Sequence, residues 1–375
     1  MKRLLNIQTL EQLMKIIITF IVAAFVLTLL DSCSEERLKE DEKPELKNML
    51  PLCTLNQASE NDMNIVFLPE GYTSDQMDVF MKEVILGWKI LRQTKPYSHS
   101  MDKINVYYST ALASATDSLG SGHTAFALDS PKPLQASCEI SYDSIMNVTK
   151  RLPFTAENTV LVIMVNVGGD IQLGFTLLPK PNRFLPKTVV IRSLLDKYPA
   201  AFTHEMGHAV GLLADEYYYQ SENFVFDKKE CQEMLDWQKE GYYLNVSASS
   251  NESEVFWSQF ITDDAYSTEN IGIYEGGKTF PKGVYRSTYN SVMRYHFQSD
   301  FYNAVDRYLI YCRIEKMHSG RDISYEEWRQ IDLAHPQAPI NWYSLTGGIT
   351  RSAVDTPMTD LFDLFISESD VIIIP

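Results

Sequence analysis

The chain has 375 residues, a formal net charge of −16 and a hydrophobic content of 45%. These values are ordinary for a folded globular protein, and the length allows one large domain or two small ones. The acidic balance argues against a nucleic acid as a partner, because phosphate binding needs clustered Lys and Arg, and no cationic run of useful length is present.

The N-terminus predicts export. Ile16 to Leu30 is a mostly apolar stretch preceded by Lys15. It is shorter than the about 20 residues that span a membrane, so it suits the core of a signal peptide. Leu30-Asp31-Ser32-Cys33 resembles a bacterial lipobox, and Ser34-Glu35-Glu36 resembles the export signal of surface lipoproteins. We expect an outer-membrane lipid anchor at Cys33 and a protein exposed at the cell surface. A plain secretory signal or an uncleaved anchor is the alternative, and a plain signal would leave the protein secreted or periplasmic.

Composition divides the chain further. Residues 1–33 form the predicted lipoprotein signal peptide, and the charge-dense residues 34–48 are expected to be a flexible tether. Residues 49–335 are expected to form one domain. Residues 336–375 carry no recognisable signature, although they end in an apolar run, and we expect this C-terminal extension to pack on the domain.

The spacing of apolar residues predicts an α/β arrangement. Strands are expected near residues 65, 105, 160, 175 and 190, with a helix over 75–91. The unbroken apolar run from Thr159 to Val167 is typical of a central strand that is covered on both faces. Gln220 to Asn290 lacks long periodic runs and is expected to be irregular, and Asn303 to Lys316 is expected to be a closing helix.

One segment carries chemistry of its own. His204-Glu205-Met206-Gly207-His208 is the His-Glu-x-x-His pattern of zinc hydrolases. Helical residues four apart are separated by about 40° in azimuth and about 6 Å along the axis, so both imidazoles can reach one ion. Glu205 is placed to act as general base on a water at the metal. A core helix with two incidental histidines is the weaker alternative, because a predicted strand precedes an apolar helix face here.

A third ligand is needed to leave an open four-coordinate site. Gly211 is a reasonable helix stop that would let the chain turn back toward the metal, and both Asp215 and Glu216 follow it with suitable oxygens. Gly207 lies inside the helix at a cost of about 1 kcal/mol relative to alanine, which indicates a packing or access requirement.

Downstream, Ser291-Val292-Met293-Arg294-Tyr295 resembles the methionine turn of metzincins, in which a methionine forms a hydrophobic floor under the zinc site. Tyr295 lies two residues after that methionine, where some metzincins have a tyrosine that stabilises the transition state. Core packing is the alternative for this short pattern, and its position downstream of the histidine motif favours the functional interpretation.

Taken together, four segments resemble the igalysin group of IgA-peptidase-like zinc endopeptidases. They are Asn64–Thr73, His204–Tyr218, Ile271–Gly277 with Lys282–Arg286, and Ser291–Arg294. The resemblance implies a metzincin-like zincin with a mixed, mainly parallel sheet and helices in the upper half and an irregular, helix-containing lower half. It also implies one catalytic Zn²⁺ bound by His204, His208 and an acidic residue. For that residue we favour Asp215 over Glu216.

The resemblance further implies an endopeptidase that hydrolyses extracellular proteins or glycoproteins, with Glu205 as base and Tyr295 assisting, and we expect a monomer. In metzincins the strand lining the cleft pairs with extended substrate, and Gly174–Leu178 is a candidate for this role, with an ordinary strand as the alternative. Two other functions stay open: a catalytically silent surface binding protein of zincin fold, and a zinc hydrolase that acts on a non-peptide bond.

Overall fold

The computed structural model describes residues 49–132, 136–168, 171–180, 185–194, 199–220, 225–295, 299, 301–338 and 340, and the strand at 371–374. The predicted signal peptide, the anchor Cys33, the tether and most of the C-terminal extension lie outside the described residues. Within the described ranges, no helix is both long and apolar enough to cross a membrane.

A mixed, mainly parallel β-sheet is the centre of the structure. Its strands are β1 (Cys53–Asn56), β2 (Met63–Glu70), β3 (Ile104–Tyr108), β4 (Thr159–Val165), β5 (Gly174–Pro179), β6 (Lys187–Arg192) and β10 (Val371–Ile374). Their order is β1-β3-β2-β4-β6-β5-β10. Strands β3, β2, β4 and β6 are parallel neighbours, whereas β1 and β5 pair antiparallel with β3 and β6. The predicted α/β class and the five predicted strands are therefore confirmed.

The central strands are buried on both faces. Every residue of β2, β4 and β6 is buried. Because successive side chains point to opposite faces, Val160 and Val162 join one apolar cluster while Leu161 and Ile163 join another. This two-sided burial explains why the strands read as continuous apolar runs and not as alternating ones.

Helices cover the two faces. They are α1 (Met77–Gln93), α2 (Tyr142–Thr149), α3 (Pro199–Gly211), α6 (Ala304–Ser319) and α7 (Tyr325–Ala334). Residues of α1, α3, α6 and α7 belong to one cluster, and residues of α2 belong to the other. The expected closing helix is α6, which starts after Asn303, whose side chain accepts a hydrogen bond from the Asp306 N–H, and ends at Gly320 with φ +73°.

The region expected to be irregular contains regular elements as well. It holds α4 (Lys228–Lys239), α5 (Ser258–Ile261) and a small antiparallel sheet of β7 (Val246–Ser247), β9 (Phe280–Arg286) and β8 (Tyr274–Gly277). The sequence did not predict α4, because it buries only Met234 and so lacks an apolar stripe. The four cysteines of the described residues, Cys53, Cys138, Cys231 and Cys312, are free thiols.

Candidate metal centre

The candidate centre lies on α3, which packs against the sheet at β5 and β6. Its polar motif is inside the protein: His204 is 1% exposed, Glu205 2% and His208 0%. Such burial of two imidazoles and a carboxylate is unfavourable unless each has a partner or a metal. One helical turn places both imidazoles on the same side, as the spacing predicted.

Three donor atoms converge at this point. The Nε2 atoms of His204 and His208 lie 3.0 Å apart. Asp215 Oδ1 lies 3.2 Å from each of them. For zinc bonds of about 2.0–2.1 Å at tetrahedral angles, donors are separated by about 3.3 Å, so the triangle has the dimensions of a zinc site. The group His204, His208 and Asp215 could therefore hold a metal ion.

Backbone carbonyls orient the His204 and His208 rings through their Nδ1 atoms. His204 Nδ1 lies 2.9 Å from the Val292 carbonyl oxygen, and His208 Nδ1 lies 2.7 Å from that of Leu213. A carbonyl only accepts, so in each ring Nδ1 carries the proton and Nε2 presents its lone pair to the centre. This tautomer is the one that binds a metal through Nε2.

The turn that brings Asp215 back differs from the sequence expectation. Gly211 is the last helical residue, and the left-handed residue is Leu212, with φ +52°. Glycine is needed at 211 for another reason: a Cβ there would lie 2.7 Å from Ile310 Cγ1 of α6. Leucine at a positive φ costs about 1 kcal/mol or more, and surrounding contacts must hold it.

Those contacts come from distant segments. Leu212 accepts a hydrogen bond from the Tyr243 N–H at 2.8 Å. Asn245 clamps the next turn, because its Oδ1 accepts from the Ala214 N–H at 2.7 Å and its Nδ2 donates to the Ala214 carbonyl at 2.9 Å. The Asp215 carbonyl accepts from the Lys278 N–H at 2.7 Å. Asn245 was not predicted from the sequence, since no local pattern marks a residue that acts 31 positions away.

Glu216, the other carboxylate considered, points elsewhere. It is fully buried, and it accepts hydrogen bonds from the Ser291 hydroxyl and from Asn303 Nδ2, the latter at 3.1 Å. Its N–H donates to the Met293 carbonyl at 2.9 Å. Glu216 thus ties the loop after α3 to the methionine turn, and Asp215 is the carboxylate that meets the histidines.

The two carboxylates also differ electrostatically. Burial alone would raise the pKa of Asp215, but His208 and His204 hold it well below its ordinary range. Burial raises the pKa of Glu216, and the hydrogen bonds from Ser291 and Asn303 offset this only in part. Asp215 is therefore the stable anion of the pair, which suits a group facing a cation.

The turn at residues 291–295, which resembles a methionine turn, packs against the histidine helix. Met293 is fully buried, and a Cβ on Gly207 would lie 2.5 Å from its Sδ and 2.9 Å from Tyr302 Cε1. The packing requirement predicted for Gly207 is thus real: only glycine lets the turn approach this closely. The Tyr302 hydroxyl donates to the Thr203 carbonyl, and the Tyr97 hydroxyl donates to the Met206 carbonyl at 3.1 Å. Neither tyrosine was predicted from the sequence.

The predicted general base lies against β5. The Thr176 hydroxyl donates to Glu205 Oε2 at 2.6 Å. Both residues are buried, and β5 contains the segment Gly174–Leu178 that was a candidate for lining a cleft. The carboxylate is therefore held between α3 and the strand next to it.

Tyr295, the predicted assisting residue, is partly buried at the end of the methionine turn. Its N–H donates to the Ser291 carbonyl at 2.9 Å. Its ring lies 4.3 Å from the Arg294 guanidinium carbon. The ring of Tyr295 thus packs against the guanidinium of the neighbouring Arg294.

Comparison with known proteins assigns the chain to no family. No model of a known protein family matches the chain, and no curated protein sequence matches it. Fold and geometry alone therefore support the interpretation: a mainly parallel α/β protein with a buried group of two histidines and an aspartate that could hold a metal ion.

Proposed function

We propose that the protein is a zinc-dependent endopeptidase of metzincin-like fold, similar to the igalysin group. The observation that carries the proposal is the buried triangle of His204, His208 and Asp215, with the carboxylate of Glu205 on the same helix. Two imidazoles and one carboxylate are a donor set that zinc hydrolases use, and three protein ligands leave one position open for water or substrate.

The metal would supply Lewis acidity, which lowers the pKa of a water and polarises the scissile carbonyl. The protein residues do the rest. Glu205 takes the proton from the attacking water and passes it to the amine that leaves. Its burial and its contact with Thr176 hold the carboxylate in one orientation. Tyr295 is proposed to donate a hydrogen bond from its hydroxyl to the developing oxyanion once substrate is bound.

Two features favour the metzincin-like assignment over other zinc hydrolases. One is Met293 packed under Gly207 of the histidine helix. The other is β5, which runs antiparallel to its neighbour β6 and contacts Glu205. By the same resemblance we propose protein or glycoprotein substrates and a surface location through Cys33.

The test is metal content and cleavage measured on one preparation. The purified protein should contain about one zinc per chain and should cut peptides from a denatured protein library. A chelator should abolish the cuts, and added zinc should restore them. Glu205→Gln should keep the zinc and lose about 10²- to 10⁴-fold in rate.

Each failure has a separate meaning. If Glu205→Gln cuts like the wild type, the assignment of the base is wrong. If the wild type binds zinc but cuts nothing in the library, the silent binding protein replaces the peptidase. If ester or amide substrates are cleaved and peptides are not, the enzyme is a zinc hydrolase of another class.

A further inference from the structure

We propose that Thr176 is a positioning residue for Glu205, an inference that rests on the proposed function. Thr176 lies in β5 with an exposed fraction of 0%, and Glu205 lies in α3 with 2%. The hydroxyl proton of Thr176 has two acceptors within reach, Glu205 Oε2 at 2.6 Å and the Glu205 carbonyl oxygen at 3.2 Å. The shorter distance is typical of a hydroxyl that donates to a carboxylate.

The same face of β5 also makes room for the carboxylate. Gly174 is two residues before Thr176 and therefore points to the same side of the strand. A Cβ on Gly174 would lie 3.4 Å from Glu205 Oε1 and 3.2 Å from Ile191 Cδ1. One oxygen of Glu205 thus lies against Gly174, and the other is held by Thr176.

Thr176 is suited to hold a side chain still. It is β-branched, so its χ1 angle is restricted, and its strand is paired with β6 by the register Thr176↔Val189. A donor on a paired strand keeps its place while substrate binds. With one oxygen of Glu205 fixed, the direction of the other oxygen is fixed too, and proton transfer depends on that direction.

The experiment compares Thr176→Val, which has nearly the same shape but no hydroxyl, with Thr176→Ser, which keeps the hydroxyl. We expect Thr176→Val to lower kcat about 10- to 100-fold while KM changes less than about twofold, because a misplaced catalytic group loses rate and not binding. Thr176→Ser should stay within about threefold of wild type. Zinc content and the urea midpoint should be measured for both variants.

Two outcomes would overturn the positioning role. One is an unchanged kcat in Thr176→Val with normal zinc content. The other is an equal loss of rate when Thr176→Val is added to Glu205→Gln, because a residue that acts through Glu205 has no further effect once the base is gone.

A wild type without peptidase activity would refute the proposed function and not this contact. In that case the contact is tested by comparing the urea unfolding midpoints of the wild type, of each single variant and of the double variant. Non-additive midpoint shifts for Thr176→Val and Glu205→Gln would support the contact, and additive shifts would refute it.

A different observation, the pairing of β10, carries a second inference. Strand β5 has two edges: β6 pairs with one, and β10 pairs in parallel with the other, with Val371 opposite Thr176. From Thr176 to Pro179 the second edge of β5 is therefore occupied, and the occupied part begins level with the residue that contacts Glu205.

We infer that β10 competes with substrate, because it pairs with the edge of β5 to which an extended peptide substrate would bind. This inference also rests on the proposed function. Peptides bind such edges through main-chain hydrogen bonds, as an added strand. The pairing of β10 covers only four residue pairs, Val371↔Thr176 to Ile374↔Pro179, and is parallel, the less stable arrangement per residue. A substrate strand can displace so short a partner.

The test removes residues 371–375 and, as a matched control, replaces them by the same number of Gly and Ser residues. The probe is a fluorescein-labelled decapeptide that spans a cleavage site found with the wild type. Both variants should bind it at least about threefold more tightly in the Glu205→Gln background, and in the active enzyme KM should fall while kcat stays unchanged. Unchanged affinity, or a lost activity with a lower urea midpoint, would make β10 a structural strand.

Hydrogen exchange gives a readout that does not need activity. Removal of 371–375 should speed the exchange of amides in 174–179 and leave those of 159–165 unchanged, because only β5 loses a partner. Unchanged rates in 174–179 would overturn the inference even if the protein proves not to be a peptidase.

Discussion

Gly207→Ala tests how tightly the turn around Met293 supports the candidate metal site. The new Cβ would lie 2.5 Å from Met293 Sδ and 2.9 Å from Tyr302 Cε1. Carbon and sulfur atoms rest at about 3.5–4.0 Å, so the neighbours must retreat by about 1 Å. Tyr302 has little freedom to move, because its ring is buried and its hydroxyl donates to the Thr203 carbonyl. Met293 must therefore take most of the displacement.

The expected energies follow from two opposing effects. Alanine is a better helix former than glycine by about 1 kcal/mol. Overpacking a dense core costs about 1–3 kcal/mol. The free energy of unfolding should therefore fall by up to about 2 kcal/mol. A shift of Met293 also moves the Val292 carbonyl, which holds His204 Nδ1 at 2.9 Å, so zinc affinity should fall about tenfold or more.

The assay is a urea titration together with zinc affinity measured by competition with a chromophoric chelator. Gly87→Ala in α1 is the matched control, because its Cβ would lie 2.9 Å from Phe67 Cε1, and the atoms nearest to it belong to Phe67 and Leu194 and not to Met293 or a metal donor. It should lower stability and leave zinc affinity unchanged. If Gly207→Ala instead binds zinc like the wild type and gains stability, Met293 does not press on the helix and the reasoning is refuted.

Other expected outcomes follow from the same structure. Asp215→Asn should lower zinc affinity about 100-fold or more, because it removes a charged donor. Glu216→Gln should keep the zinc but lower the urea midpoint, because it disturbs a buried hydrogen bond. Metal analysis and urea titration of the two variants distinguish these effects. Burial, with the nearby His335 and Lys95, lowers the pKa of His99 to about 4 from an ordinary value of 6.5. The unfolded chain therefore binds more protons between pH 6.5 and 4, and stability falls as the pH drops through this window. His99→Gln should flatten that part of the stability curve by roughly 1–2 kcal/mol, allowing for partial exposure. Urea midpoints at several pH values would show it, and identical curves for the two proteins would contradict it.

Local patterns predicted most of the sheet and the helix of the candidate metal centre. Strand β4 was predicted from an apolar run with turn residues after it, since a strand covered on both faces must be apolar throughout. The helical spacing of His204 and His208 predicted a pair of donors on one side. Helix α4 was missed, because only Met234 of its residues is buried.

The chain by itself determined which groups are candidates for metal binding and that two of them lie one helical turn apart, because a helix fixes the relation of residues a few positions apart. Only the tertiary structure decided the rest. It selected Asp215 over Glu216 through a left-handed Leu212 and the clamp of Asn245, and it placed Thr176 on Glu205 and β10 beside β5. Such contacts join residues tens to hundreds of positions apart, and they follow from how the elements pack, which no local spacing records.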